Sequence, residues 1–375
     1  MTKLNRRILL LVLCGAGLRP ATAASLPPWK FTAIDHLFAA EFAKEPVGGA
    51  TIGIVLEGRL AWSKSYGLAD IEANLPPNDA TVYRIGSISK QFAAIALLQL
   101  ARNGKLHLSD PVEKFFPEIN KISGKWAGAA PITLLQLATH TAGLSREPEP
   151  IERFTHGSEA QWEDTVIKAL PTVRYQYEPG TRYSYSNIGY AILGAAIGRA
   201  AGQPYTDYVR KNILAPLEMT STGFTASPGM RERLAKGYTV HNGAPDSSGS
   251  HRELVEGRGY KVPNGALFTT ITDLAKFVAF ETGAGPEDVL PRQALLDNFS
   301  RVSTATGDLS SGYGIGFQVI RRGNLVAVGH GGSVAGYTAG AYILSAAKIG
   351  IIFLRNSGRG FPSDVVLKAL EELQQ

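Results

Sequence analysis

In Thr81-Val82-Tyr83-Arg84-Ile85-Gly86-Ser87-Ile88-Ser89-Lys90 a short run ends at Gly86, and the four residues after it open a helix-spaced stretch. The apolar positions after it, Phe92, Ile95, Ala96 and Leu100, recur as one buried helix face requires, and Gly104 stops the pattern. Ser87 and Lys90 stand three residues apart at its start, so their side chains share a face. A serine at its free pKa is a poor nucleophile, and a partly desolvated lysine whose pKa has fallen can take its proton. The pair therefore suggests covalent acyl transfer.

Spacing alone is a weak signal, because about one chance match to Ser-x-x-Lys is expected in a chain of this length at ordinary Ser and Lys frequencies. Ser345-Ala346-Ala347-Lys348 is such a match. It lies between the strand-like runs 339–344 and 349–354, which makes it a hairpin tip with a solvated lysine.

The chain has 375 residues, 44% hydrophobic and 19% charged, enough for one large domain or two interlocked lobes and not the composition of a disordered chain. Its first 23 residues read as a signal peptide: Lys3, Arg6 and Arg7, an apolar run from Ile8 to Leu18, then Ala21-Thr22-Ala23 as a small-residue cleavage site. That run is too short to span a bilayer comfortably, so no stable membrane span is expected after cleavage, and the mature protein is expected to be periplasmic or secreted. Asn5-Arg6-Arg7-Ile8-Leu9 resembles a twin-arginine signal, which leaves the general secretory and twin-arginine routes both open. Removing the four cations Lys3, Arg6, Arg7 and Arg19, with no acid among them, lowers the formal net charge from +6 to +2. No basic cluster interleaved with aromatics is left to propose nucleic-acid binding. The single cysteine, Cys14, sits in the apolar run, so the mature chain has no disulfide or thiol chemistry.

Periodicity predicts a helix over 31–43, strands over 50–56 and 60–66 joined at Glu57-Gly58, and helices over 188–201, 205–213, 272–281 and 363–373. Late strands are expected over 316–321, 324–329, 339–344 and 349–354, and 241–257 reads as an exposed polar loop bordering a site. Helix and hairpin at one end, strands and helix at the other, predict an α+β, three-layer α/β/α fold. Its central antiparallel sheet is completed by both termini and flanked by helices, with an inserted, mainly helical lobe. The boundaries are a sheet lobe over about 28–86 and 259–375 and a helical lobe over about 87–258 of a single domain, 24–375.

Two further elements follow Ser87 and Lys90 in order: Tyr185-Ser186-Asn187 and His330-Gly331-Gly332. With them the chain resembles the serine β-lactamase and penicillin-binding-protein family, in its branch of class C β-lactamases, D,D-carboxypeptidases, D-aminopeptidases and esterases. Tyr83-Arg84-Ile85-Gly86, Gly104-Lys105-Leu106 with Asp110-Pro111, Thr139 to Leu144, Glu178-Pro179-Gly180 and Gly312 to Gly316 extend the resemblance over nearly all of the chain beyond Phe31. It implies a β-lactamase/transpeptidase-like fold with Ser87 as nucleophile and Lys90 and Tyr185 sharing the proton traffic. Asn187 would orient Lys90 and the substrate amide, His330 and Gly332 would border the substrate on an edge strand, and the backbone N–H groups of Ser87 and Ser333 would form the oxyanion hole. His140 reads as fixing a buried turn. His241-Asn242-Gly243 also fits His-x-Gly, but lies in the polar stretch, whereas His330 ends an apolar run.

The resemblance implies no cofactor, and no His-Glu-x-x-His or close His/Cys/Asp set proposes a metal. No Gly-x-Ser-x-Gly elbow supports an α/β-hydrolase. In the family's β-lactamases and transpeptidases a lysine in the third motif gives a permanent charge for the substrate carboxylate, whereas His330 is largely neutral near pH 7 at an ordinary pKa. The expected partner is a small-molecule or peptide acyl substrate, cleaved by an exported D-amino-acid peptidase, carboxypeptidase or esterase. A class C-like β-lactamase and a non-catalytic penicillin-binding or sensor domain are the alternatives, and the oligomeric state stays open.

Overall fold

The computed structural model describes residues 28–124, 126, 128–300, 303–304 and 310–375. The expected signal peptide and Cys14 lie outside the described residues. Helix α1 (Pro28–Phe42) leads into a hairpin, β1 (Gly49–Leu56) and β2 (Arg59–Gly67). At its tip Glu57 and Gly58 take φ of +49° and +81°, the mirror-image turn whose twist matches that of paired strands. Helix α2 (Ser89–Arg102), helix α3 (Asn187–Ala201) and helix α4 (Ile271–Glu281) come next among the longer elements. The chain ends with strands β3 (Ser303–Thr304), β4 (Ser311–Tyr313), β5 (Gln318–Arg322), β6 (Leu325–Val334), β7 (Tyr337–Leu344) and β8 (Ile349–Arg355), then helix α5 (Ser363–Gln374).

The eight strands form one sheet in the order β2-β1-β8-β7-β6-β5-β4-β3, every pairing antiparallel. Because β8 pairs with β1, with Ile351 opposite Ile54, the C-terminal strand completes the sheet that the N-terminal hairpin begins. Alternation along β8 shows why helices cover both faces. Ile349, Ile351 and Phe353 pack with Ile34 and Phe38 of α1 and Leu367 and Leu370 of α5. Ile352 and Leu354 belong to the opposite core, with Leu274, Phe277 and Val278 of α4 and the buried side of α2. This is the expected α+β fold, an antiparallel sheet completed by both ends of the described chain and covered by helices on both faces.

Several local expectations need correction. Residues 241–257 are not a loop: Thr239–His241 and Ala244–Asp246 pair as a hairpin, and Ser248–Glu256 is a helix. The overlooked signal is Asn242-Gly243, a turn dipeptide that composition alone disguises as loop. That segment does not line the cleft around Ser87. The expected helix over 205–213 is an α-helix, Tyr205–Val209, that widens into a π-helical turn, Arg210–Leu214. Strands β3 and β4 were too short to carry a period. β6 runs on past Gly329 through Val334, because pairing with β7 overrides the poor strand propensity of its glycines.

Phe38 is fully buried and meets Phe361 edge-on at 5.0 Å between ring centroids. Phe38→Ala should cost about 3–5 kcal/mol, as large-to-small core substitutions do. A urea unfolding midpoint unchanged from wild type would show that α1 does not carry this face of the sheet.

Candidate active site

Ser87 lies in a 3-10 turn, Gly86–Ile88, that continues directly into α2. Two glycines bring this turn against β6. Gly86 has φ of +50°, and a Cβ on it would stand 2.7 Å from the Ser333 nitrogen. A Cβ on Gly332 would stand 1.9 Å from the Ile85 carbonyl oxygen. Only residues without side chains permit that approach, which sets the Ser333 peptide beside the turn that carries Ser87. Among the described residues β6 pairs with β5 only through Gly329, so from His330 onward its one strand partner is β7.

Lys90, one helical turn on, is fully buried. Its Nζ donates to the Asn187 Oδ1 at 2.8 Å and the Asn264 carbonyl at 3.1 Å, and lies 3.2 Å from the Ser87 Oγ. Burial pushes its pKa well below the ordinary lysine value; Glu147 opposes this, while Arg146, Lys261 and Arg258 add to it. A neutral amine donates two protons and keeps one lone pair, and Ser87 is the one acceptor of the three that can reverse the bond and donate.

Tyr185 sits over the same group, its ring centroid 4.8 Å from the Lys90 Nζ. Burial raises its pKa, while a hydrogen bond with Ser87 pulls the other way, and the phenol stays protonated near neutrality. His140 holds the tyrosine in place. Buried at φ of +58°, it accepts the Ser186 N–H on Nδ1 at 3.0 Å and packs its ring 4.1 Å from that of Tyr185. Burial first, and then the neighbouring Lys90, keep His140 neutral. Ser186 caps α3 through a bond from the Gly189 N–H, which aims Asn187 at Lys90.

His330 is buried and faces Tyr313 and Tyr185. Its Nδ1 lies 2.5 Å from the Gly331 carbonyl, which can only accept, so Nδ1 carries the proton and Nε2 accepts from the Tyr313 hydroxyl at 3.0 Å. Burial, with Lys90 second, pushes its pKa down to about 3. Ser87, Tyr185, Asn187, His330, Gly332 and Ser333 all line one open cleft of about 610 Å³, with Lys90 beneath it. Among the described residues no group of three or more His, Cys, Asp or Glu side chains is placed to share a metal ion.

The family model described as beta-lactamase matches residues 34–375. The chain belongs to the beta-lactamase family. Members of the family are generally serine hydrolases, although some are non-catalytic. The chain is 26% identical over 340 residues to the protein flp of Staphylococcus aureus strain N315, covering 91% of this chain and 65% of that one. It is 28% identical over 351 residues to beta-lactamase-like protein 2 of Dictyostelium discoideum, covering 91% and 61%. It thus spans less than two thirds of the length of these curated relatives. Among solved structures, the octameric penicillin-binding protein homologue from Pyrococcus abyssi superposes with a TM-score of 0.78 at 28% identity, over 92% of this chain and 77% of that one.

Sequence reasoning missed three contributors to this beta-lactamase-family site. Glu147 accepts the Asn187 Nδ2 at 2.7 Å and also the Tyr260 hydroxyl, so it fixes which end of the amide faces Lys90. Asn264, in the short helix Val262–Gly265, gives its carbonyl to Lys90 and its Nδ2 to the Asn187 carbonyl at 3.0 Å. Gln318 accepts the Gly331 N–H and the Tyr342 hydroxyl, both at 3.2 Å. None of the three carries a local signal in the sequence.

Glu147 is the carboxylate that favours the charged form of Lys90. Glu147→Gln removes that charge while keeping an acceptor, so the pKa of Lys90 should fall further. The acid limb of the pH profile for Ser87 inactivation by a fluorophosphonate should then move to lower pH. A shift to higher pH, or none, would contradict this electrostatic assignment.

Proposed function

We propose that this protein is an exported serine hydrolase that forms a covalent acyl-enzyme on Ser87, acting as a D-amino-acid peptidase, carboxypeptidase or esterase. The observation that carries the reading is the fully buried Lys90 amine, 3.2 Å from the Ser87 Oγ in surroundings that favour its neutral form. Export rests on the charged start, apolar run and small-residue cleavage site at the N-terminus. No helix among the described residues is long and apolar enough to cross a membrane.

In this reading the Ser87 Oγ bonds to the acyl carbon as its proton passes to Lys90. The carbonyl oxygen becomes an oxyanion that accepts the backbone N–H groups of Ser87 and Ser333. Collapse breaks the bond to the leaving amine or alcohol, which takes the proton from Lys90 through the Tyr185 hydroxyl. Water then attacks the ester and gives up a proton by the same route. The acid leaves and Ser87 is restored.

His330 supports a substrate other than a β-lactam. The family's β-lactamases and transpeptidases are expected to hold the substrate carboxylate with a lysine there, and a neutral histidine with both nitrogens engaged offers no such charge. A panel of p-nitrophenyl esters, D-alanyl p-nitroanilide, D-Ala-D-Ala peptides and nitrocefin tests this. Ester or D-peptide turnover is expected to exceed nitrocefin turnover. Ser87→Ala should abolish every activity, and Lys90→Ala should lower kcat by about 10²–10⁴, the usual worth of a general base. Rapid multiple turnover of nitrocefin would favour the β-lactamase alternative, and equal fluorophosphonate labelling of wild type and Ser87→Ala would remove Ser87 as nucleophile.

A further inference from the structure

We propose that Arg146 is the anion-recognition residue of this cleft, so that the protein favours acyl substrates carrying a carboxylate. The proposal rests on the reading of Ser87 as nucleophile and adds a substrate class to it.

Charge distribution points there first. Among the described residues that line the cleft there is no Asp or Glu, and Arg146 is the one side chain with a permanent charge. His330, the other basic residue on the wall, has Nδ1 donating to the Gly331 carbonyl and Nε2 accepting from Tyr313, with no donor free for a ligand. A substrate anion entering the cleft therefore meets one cation.

Arg146 is also held in place at its root and open at its tip. Its carbonyl accepts the N–H groups of Asn187 at 2.8 Å and Ile188 at 3.3 Å, which anchors the main chain at the start of α3. Its guanidinium packs over the Tyr185 ring, 4.8 Å from the centroid, on the wall next to the reacting groups. The side chain is 62% exposed, and its ion pair is a loose one, Nε to Glu147 Oε1 at 3.7 Å. The Glu147 oxygens already accept from Asn187 and Tyr260.

Two other surface arginines are occupied differently. Arg199 bonds Glu118 and Glu163, and Arg322 bonds Glu371 and Asp364. The terminal nitrogens of Arg146 hydrogen-bond no described residue, so its planar fork is available to a carboxylate in the two-pronged geometry arginine favours. Stacking on Tyr185 fixes the plane of that fork without consuming its donors.

The carboxylate can belong to the acyl part of the substrate or to its leaving group, and two matched pairs separate these. The first compares the mono-p-nitrophenyl ester of glutaric acid with p-nitrophenyl pentanoate. The second compares N-acetyl-D-alanyl-D-alanine with its C-terminal amide. Wild type should prefer the charged member of at least one pair in kcat/KM. Arg146→Gln should lower that preference about tenfold, chiefly through KM, the order expected for one charge-assisted contact. Arg146→Lys should restore part of it. No preference in either pair, or a preference that Arg146→Gln leaves intact, overturns the proposal.

A readout on wild type alone covers a variant that fails to fold or a pair that is not cleaved. Glutarate should slow fluorophosphonate labelling of Ser87 and glutaramide should not; equal effects of the two count against Arg146. If wild-type Ser87 is not labelled at all, the nucleophile reading fails. Labelling with no discrimination by charge defeats this inference alone.

Discussion

The burial of the Lys90 amine is the constraint on which the rest of the site depends. An amine with no solvent access must find its hydrogen bonds within the protein, since an unpaired buried polar group is costly. Its acceptors come from three separate parts of the chain: Ser87 on the turn before α2, Asn187 at the start of α3, and the carbonyl of Asn264, which lies 174 residues away in sequence. Lys90 thus ties the nucleophile to both walls that flank it. Among the described residues no carboxylate hydrogen-bonds the amine. Glu147 acts on it from behind Asn187, and burial outweighs that distant charge. A lysine kept in this way is a base, whereas the same lysine paired with a carboxylate would be an ion pair.

A second constraint is backbone proximity. The oxyanion hole of the proposed mechanism needs the turn at Ser87 and the last residues of β6 to approach more closely than side chains allow, and Gly86 and Gly332 supply the space. The sheet makes the approach repeatable. β6 is pinned by β7 along its whole second half, with Gly332 opposite Ala339 and Ser333 opposite Thr338, while no described strand pairs with its other side there. An edge held this firmly on one side can present N–H groups at a fixed position, which is what stabilisation by preorganised dipoles requires.

The parts that were legible in the sequence are those with a local period or an ordered motif. α1, the β1–β2 hairpin, α2, α3, α4, α5 and the cores of β6, β7 and β8 all show apolar repetition at 3.6 or 2 residues, because each buries one face or both. Ser87, Lys90, Tyr185, Asn187 and His330 were legible as a set in fixed order. What was hidden has no local cause. Glu147 and Asn264 matter only because folding places them behind Asn187 and Lys90, and a Ser-Arg-Glu run or a Pro-Asn-Gly run reads alone as solvated turn. The hairpin and helix within 239–256 were hidden for the opposite reason, a local Asn-Gly signal masked by polar composition. The glycines of β6 were read as the end of a strand although the pairing partner, 341 opposite 330, continues it.

The site also separates two electrostatic tasks by depth. Below the cleft, burial drives Lys90, His140, His330 and Tyr185 each toward its neutral form, so the groups closest to Ser87 carry little charge of their own. Neutral groups move protons at small cost in a low-dielectric interior, where an isolated charge would be expensive to hold. The full charge of Arg146 stands instead at the wetter wall, where a guanidinium keeps its hydration until a ligand replaces it. A charge placed there selects what enters without raising the desolvation cost of the proton relay beneath. It also disfavours the ammonium form of Lys90 from a distance, so the residue that would hold a substrate anion helps to keep the base unprotonated before one arrives. Once a carboxylate covers Arg146 that influence is screened, and Lys90 becomes a stronger proton acceptor at the point in the cycle when Ser87 must give its proton up.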